Sequence, residues 1–413
     1  MFLLMKQEFD KTTNAVLEWR MENFKYWFSK IPELIEFGFQ VNDTNIELHD
    51  IEIEDSNPNA TYHGFCPLNI KVLKLTTRHP TQKEPYTTKL HIPVPTIRDI
   101  YEVNASYYVL MNEFVDYPVT TYDDIIRIRF FRIDPDGTFS FISTKGVRER
   151  HPLASVLVSL DILSKDDFEV VESKELPQDV EWKGRGYIRF KKYSGTPFDD
   201  LTLKSLNKVR SLEQLSGNVM NGFFKNFKPP TFMIYFIEKF YDFKFSSYDP
   251  KTFLKEIIER VAIPLYNQTY KSGMIFPDLR QKYVVYYDAV VDYIIKQLID
   301  KPLQRPKYQQ SIRVDANAIL KWLVAGNPRF QCITSFENPY REINLKETII
   351  TQIENPLPSY RTVDITYLYN VDPINTPDNQ KLGMVQRLSK TVKLDEFGRF
   401  MDVTGGGIET HTL

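Results

Sequence analysis

The residues of this 413-residue sequence best suited to hold a metal are six histidines and two cysteines, and their spacing argues against that role. His49, His63, His79, His91, His151 and His411 are scattered, without an H-E-x-x-H helix or paired Cys/His spacing of the zinc kind. Cys66 and Cys332 are too few for a disulfide framework and fit a reducing compartment, with a Cys66–Cys332 pair as the lesser alternative. Asp50, Glu52, Glu54 and Asp55 form a dense acidic run. Because Ile51 and Ile53 alternate with them, they read as the solvated face of a strand and not as a cation site. There is no G-x-x-x-x-G-K-[ST] loop, and Gly405-Gly406-Gly407 is too bare to cradle a phosphate. A G-x-S-x-G elbow is missing as well, and no carboxylate pair stands out as an acid/base couple. The expectation is a chain with no catalytic residue, no metal ligand and no cofactor of its own.

Composition sets the scale of the elements around those residues. The length suggests roughly two or three domains. Charged residues make up 26% and hydrophobic ones 42%, which excludes wholesale disorder. Lys+Arg 52 against Asp+Glu 54 leaves a net charge of −2, so the chain does not coat nucleic acid by bulk charge. The 29 Phe, 24 Tyr and 4 Trp suit a large core or broad contact surfaces. The start, MFLLMKQEFD, is too short an apolar stretch for a signal peptide, and no window approaches a membrane span. A soluble, intracellular protein is expected.

Residues 8–31 read as a helix with Leu17, Met21, Phe24 and Phe28 on its apolar face, Arg20 lying between them, and Pro32 as a break. Period-two alternation follows at Leu68, Ile70 and Val72 and again at Ile126, Ile128 and Phe130. Asp134-Pro135-Asp136-Gly137 then supplies a turn before Phe139 and Phe141. Arg127 and Arg129 read there as solvated sheet face and not as DNA contacts. His151-Pro152 opens a short helix through Leu160. Val284, Tyr287, Val291, Ile294 and Leu298 predict an amphipathic helix. Residues 301–306 read as a connector and 316–325 as a helix, with irregular, turn-rich sequence to the end.

The most specific stretch is Asp372 to Phe400, DPINTPDNQKLGMVQRLSKTVKLDEFGRF. It resembles the segment of the multisubunit RNA polymerase β subunit that begins Pro-Ile-Glu-Thr-Pro-Glu-Gly and runs to Asn-Glu-Tyr/Phe-Gly-Phe. Pro373, Ile374, Thr376, Pro377, Gly383, Leu388, Glu396, Phe397 and Gly398 fall in matching places. The family's two Glu positions hold Asn375 and Asp378, its Gly is Asn379, and its RNA-facing Asn is Lys381. Upstream, ENPLPSYR (Glu354 to Arg361) resembles the turn lining the rifampicin pocket, and the Gly-rich fork segment between the two motifs is much shortened. Leu90 to Val119 resembles the family's early block, with Ile92, Pro93, Tyr101, Val103, Asn104, Val109 and Pro118 in place and Glu113 where the family has Gln. Val147–Leu163, Phe65–Leu75 and the N-terminal helix resemble further segments in the same order; the middle of the chain matches weakly.

This resemblance implies an α+β, multidomain chain: a protrusion-like domain over 1–165, a lobe-like domain over 166–310, and over 311–413 a return to the protrusion and the fork/rifampicin-loop region. It further implies the N-terminal part of a split β subunit of giant-bacteriophage type. The rest of β, the β′ fragments, template DNA and nascent RNA would be its partners, with a promoter-specificity subunit as a further candidate. Mg²⁺ would sit in the partner β′ chain, no membrane would be involved, and the host bacterial cytoplasm would be the location, with virion packaging open. Gln352, Asn355, Arg361, Asn375, Asp378, Gln380 and Lys381 would line the RNA–DNA hybrid. Arg361 and Lys381 would reach phosphates and the amides would bond sugar or phosphate. Glu113, Glu354 and Pro356 would be the rifampicin-pocket equivalents, with Glu113 an unpaired carboxylate that opposes drug binding. The competing class is a phage structural or interaction protein without a polymerase role.

Overall fold

The computed structural model of the protein describes residues 14–41, 46–53, 65–74, 86–93, 95, 99–103, 106–142, 148–164, 167–171, 187–206, 208–209, 220, 223–224, 227–270, 278–300, 322, 327–333, 339–351, 361, 363–372, 374–375, 377, 382–401 and 403. The fold is mixed α+β, as expected. The chain forms two compact units, each discontinuous in sequence. The first gathers Met1–Val115, Pro230–Phe236 and Pro277–Gly407; the second gathers Asp116–Pro229, Ile237–Phe276 and Ile408–Leu413.

In the first unit a helix, Ala15–Ser29, is capped by Asn14, whose side chain accepts from the Val16 N–H. Its buried stripe is Val16, Trp19, Arg20, Asn23 and Trp27, so the predicted face of Leu17, Met21, Phe24 and Phe28 is only half-buried. The reason is polar: Arg20 and Asn23 find partners inside, and the helix turns toward them. The break or bend expected near Pro32 falls at Lys30, the C-cap of this helix. Pro32 occupies the second position of the next helix, Ile31–Val41, where a missing N–H costs nothing.

Among the described residues three sheets belong to this unit. Ile46–Ile53, Phe65–Lys74 and Tyr86–Pro93 form an antiparallel meander. Phe330–Ile333, Ser106–Leu110 and Tyr101–Val103 form a second sheet. The third orders Lys282–Val285, Asn112–Asp116, Thr348–Ile350 and Val385–Arg387, with a parallel pairing of Ile349 and Ile350 to Asn112 and Glu113. Residues expected to be irregular after 325 therefore supply strands and a helix, Pro339–Glu347. The predicted helix at 284–298 also starts later, over Asp288–Ile295. Val284 is in a strand because its N–H donates to the Gly398 carbonyl at 2.8 Å. The predicted 316–325 helix lies outside the described residues save Trp322.

The second unit is built on an antiparallel five-stranded sheet: Val119–Tyr122, Ile125–Ile128, Phe131–Ile133, Thr138–Ile142 and Arg148–Pro152. The Asp134–Gly137 turn forms as predicted, with the Gly137 N–H donating to the Asp134 carbonyl. Ile126, Ile128, Phe131, Ile133, Phe139 and Phe141 share its buried face. Phe223 packs on Phe141 at 4.4 Å between ring centroids and on Phe131 at 5.4 Å. The helix after Pro152 is Leu153–Ser159, buried throughout. No helix among the described residues is long and apolar enough to cross a membrane.

Candidate nucleic-acid interface

Strands from two of the segments singled out by sequence, the early block and the late one, meet in the first unit, whereas Val147–Leu163 belongs to the second. The strand Asn112–Asp116, from the early block, and Val385–Arg387, from the late one, both belong to the sheet that also holds Thr348–Ile350. Buried polar groups fix this convergence. Arg20 is fully buried. Its Nε donates to Asp99 Oδ2 at 2.5 Å, Nη1 to Asn112 Oδ1 at 2.7 Å and Nη2 to the Leu110 carbonyl at 2.9 Å. The guanidinium also lies 3.9 Å from the Tyr286 ring centre, and the Tyr286 hydroxyl donates to Asp99 Oδ1. Asn112 Nδ2 donates to the Lys346 carbonyl at 2.7 Å, and Lys346 Nζ pairs with Glu342 at 2.6 Å.

Arg329, 2% exposed, makes a parallel set of contacts. Its Nε donates to the Met111 carbonyl at 2.9 Å and Nη2 to the Val285 carbonyl at 2.7 Å. Nη1 faces Glu113 Oε2 at 3.4 Å. Glu113 is thus an ion-pair partner, and the expectation of an unpaired carboxylate there is overturned. That ground for drug rejection goes with it, leaving the shortened loop and fork as the other.

Burial dominates the titration of this cluster. It lowers the pKa values of Lys346 and Arg329 despite their acidic neighbours. For Arg20 burial alone would act the same way, but Asp99 and Tyr286 outweigh it and the net direction is up. Asp288 is pushed up to about 7 by burial, with Arg329 opposing; its Oδ1 accepts the Tyr286 N–H at 2.7 Å.

Two glycines of the late motif have a physical reason. Gly383 has φ +74°, and a Cβ there would fall 2.6 Å from the Arg361 carbonyl oxygen. Gly398 has φ +81°, and a Cβ there would fall 2.0 Å from the Val284 carbonyl oxygen. Around Gly398, Asp395 Oδ1 accepts the N–H groups of Phe397 and Arg399, and the N-terminal helix docks on the turn. Trp19 Nε1 donates to the Asp395 carbonyl at 2.7 Å and Asn23 Nδ2 to the Glu396 carbonyl at 2.9 Å.

Of the residues expected to face nucleic acid, Arg361 and Asn375 are described; Gln352, Asn355, Asp378, Gln380 and Lys381 lie outside the described residues, as do Glu354 and Pro356 of the pocket set. Arg361 is half-buried and its Nη1 donates to the Leu382 carbonyl at 3.2 Å, so it also holds its own loop. Asn375 is exposed at the end of a turn in which Asp372 Oδ1 accepts the Ile374 and Asn375 N–H groups. It lines an open groove of ≈ 620 Å³ with Tyr340, Asn344, Tyr369, Arg387 and Lys390. Arg387 donates to Asn344 Oδ1 at 3.0 Å; Lys390 is exposed. Beside the carboxylates of Glu347 and Asp372, this lining offers cations and amides to phosphate or sugar and aromatic rings to bases. Sequence reasoning passed over Arg387 and Lys390. The signal was the alternation Met384, Gln386, Leu388, all buried, which turns Val385 and Arg387 to the other side.

Among the described residues no group of His, Cys, Asp or Glu is placed to hold a metal, and Cys332 carries a free, exposed thiol. No protein-family model matches the sequence, and no curated protein is similar enough to stand as a relative.

Proposed function

We propose that this chain is the N-terminal part of a split β subunit of a phage-type multisubunit DNA-dependent RNA polymerase, forming one wall of the channel that holds the RNA–DNA hybrid. One observation carries the proposal. Two motif segments some 270 residues apart, which resemble one family in the same order, meet on one sheet through Asn112, Ile349 and the Val385–Arg387 strand. The positive-φ glycines of the late motif support it, since both sit where only a glycine fits. In this reading Arg361, Lys381, Asn375 and the groove beside Arg387 and Lys390 contact the sugar–phosphate backbone. The chain positions nucleic acid, and the chemistry, with its Mg²⁺, belongs to partner chains.

The interaction-protein reading keeps one observation in its favour. Seven of the ten large hydrophobics exposed among the described residues fall between Tyr340 and Leu382, with Ile374 90% exposed. Affinity purification of the tagged chain from cells that make it separates the two. Recovery of chains carrying the rest of β and the Asp-rich β′ motif supports the polymerase; recovery of self-assembled chain alone refutes it.

A further inference from the structure

We propose that the N-terminal segment of this chain, residues 1–13, docks its apolar side chains in the groove beside Tyr340, Leu368 and Tyr369. The segment itself lies outside the described residues, but its point of attachment does not. Asn14 Nδ2 donates to Glu347 Oε1 at 2.8 Å, and the Ala15 N–H donates to the Lys390 carbonyl at 3.1 Å. Glu347 and Lys390 both line the groove. Asn14 is extended, with φ −104° and ψ 100°, so the chain enters the helix Ala15–Ser29 from beside the groove. Phe9, five residues before Asn14, is held within about 18 Å of it. A tether this short gives an effective concentration on the order of mM.

Three large apolar side chains are exposed in the groove: Tyr340 at 63%, Leu368 at 46% and Tyr369 at 71%. The turn that carries the last two is fixed from within. Buried Asn370 donates from Nδ2 to the Thr366 and Leu368 carbonyls, and its N–H donates to the Tyr367 carbonyl. Tyr369 is held at φ +67°, where a bulky residue is strained. A surface fixed in this way loses little entropy when it is covered. The segment supplies the anchors. Phe2, Met5 and Phe9 follow the i, i+3, i+7 spacing with which an amphipathic segment fills an apolar groove. Both sides carry mixed charge: Glu347, Asp372, Arg387 and Lys390 in the groove, Lys6, Glu8, Asp10 and Lys11 in the segment. An occupant of one sign would meet like charge there, whereas one with both signs can pair. The docking concerns the groove of the proposed function but does not rest on that function. An occupant from this chain has to leave before a sugar–phosphate backbone enters.

Limited trypsin digestion of the full chain, read by mass spectrometry at Lys6 and Lys11, tests the docking without nucleic acid or partner chains, so its failure leaves the polymerase reading standing. Docking shields both sites. Cleavage should therefore be slower than in a free peptide of residues 1–13, at a rate independent of protein concentration. Leu368→Asp and Phe9→Ser should each speed it about tenfold or more, as loss of one buried apolar contact allows. Ile374→Ser removes a side chain that is 90% exposed and does not line the groove, and it should leave the rate unchanged. Cross-linking gives a second measurement, in a chain carrying Cys66→Ser and Cys332→Ser. Phe9→Cys with Leu368→Cys should form an intramolecular disulfide on mild oxidation. Phe9→Cys with Lys25→Cys should not, although Lys25 lies only about 17 Å along the helix from Asn14, within reach of an undocked segment. Cleavage of the wild type at the free-peptide rate overturns the proposal and leaves the groove to a partner chain. Shielding that grows with protein concentration overturns it in favour of a second copy. Groove and segment variants cut at the wild-type rate, or equal cross-linking to both sites, overturn it as well.

Discussion

The two units differ in how much charge they bury. The core of the second is mainly apolar, with Phe131, Phe139, Phe141 and Phe223 packed ring on ring and Asp199 and Glu238 as its buried carboxylates. The first buries Arg20, Asp99, Asn112, Asp288, Arg329 and Lys346, and nearly every hydrogen bond among them joins residues far apart in sequence. An apolar core accepts many arrangements of similar volume. A buried guanidinium accepts few, because each N–H must find its acceptor. One sheet of the first unit assembles four strands from distant stretches of chain, and the polar network is the device that sets which strand lies beside which. Such specificity is costly in stability, and the cost shows in the response to mutation and pH.

The comparison is broken most severely at its two centres. Arg20→Leu should destabilise the first unit by ~3–5 kcal/mol, since it strands Asp99 and Asn112 without their donor. Phe139→Ala should cost the second unit a similar ~3–5 kcal/mol through a cavity. Amide exchange tells them apart: loss of protection in 106–116, 330–333 and 339–350 for Arg20→Leu, in 119–142 for Phe139→Ala. If Arg20→Leu leaves the first unit as protected as before, the network is not what fixes it.

Next in size is Gly398→Ala, expected to cost about 3 kcal/mol from left-handed strain and a clash with the Val284 carbonyl. Denaturant midpoints would measure it, and a neutral result would mean the Val284–Gly398 bridge is not formed.

Proton linkage sharpens the contrast. The Asp288 carboxyl is raised to about 7 in the folded chain from an unfolded value of 3.8, so the folded state holds the proton in between. Stability should therefore fall as pH rises across that interval, by up to roughly 1.4 kcal/mol per pH unit from this group, and level off above about 7. Asp288→Asn, which keeps an oxygen for the Tyr286 N–H, should remove this term. Its melting temperature should exceed wild type at pH 8, with the gap closing toward pH 4. Equal pH profiles for the two proteins would show that Asp288 titrates normally.

The smallest effect concerns the proposed channel wall. Arg361→Ala or Lys381→Ala should flatten the salt dependence of hybrid binding by a little under one each, alike for unrelated sequences. Arg361 also donates to the Leu382 carbonyl, so its variant should carry a modest stability loss in addition.

Much of the second unit was legible in sequence because period-two alternation and the Asp134–Gly137 turn are local signals. The first was legible only in its motifs. Arg20 reads as a solvent-facing residue between apolar neighbours, and nothing local says that Asp99, Asn112 and Tyr286 wait for it. Val284 continues the helical spacing of Tyr287 and Val291, yet a distant carbonyl, that of Gly398, makes it a strand. Glu113 looked unpaired because Arg329 lies 216 positions away and meets it only in the folded chain. In the candidate groove, Asn375 was in reach of the motif comparison, whereas Tyr369, at φ +67° and 71% exposed, had no sequence signature.

The proposed function is that this chain shapes a polymerase channel without performing its chemistry. Template-dependent RNA synthesis tests it directly, with the purified chain alone and then with the partner chains that co-purify with it. No RNA from the chain alone and synthesis on mixing is the predicted result. Synthesis by the chain alone, or by the partners at full rate without it, would contradict the claim.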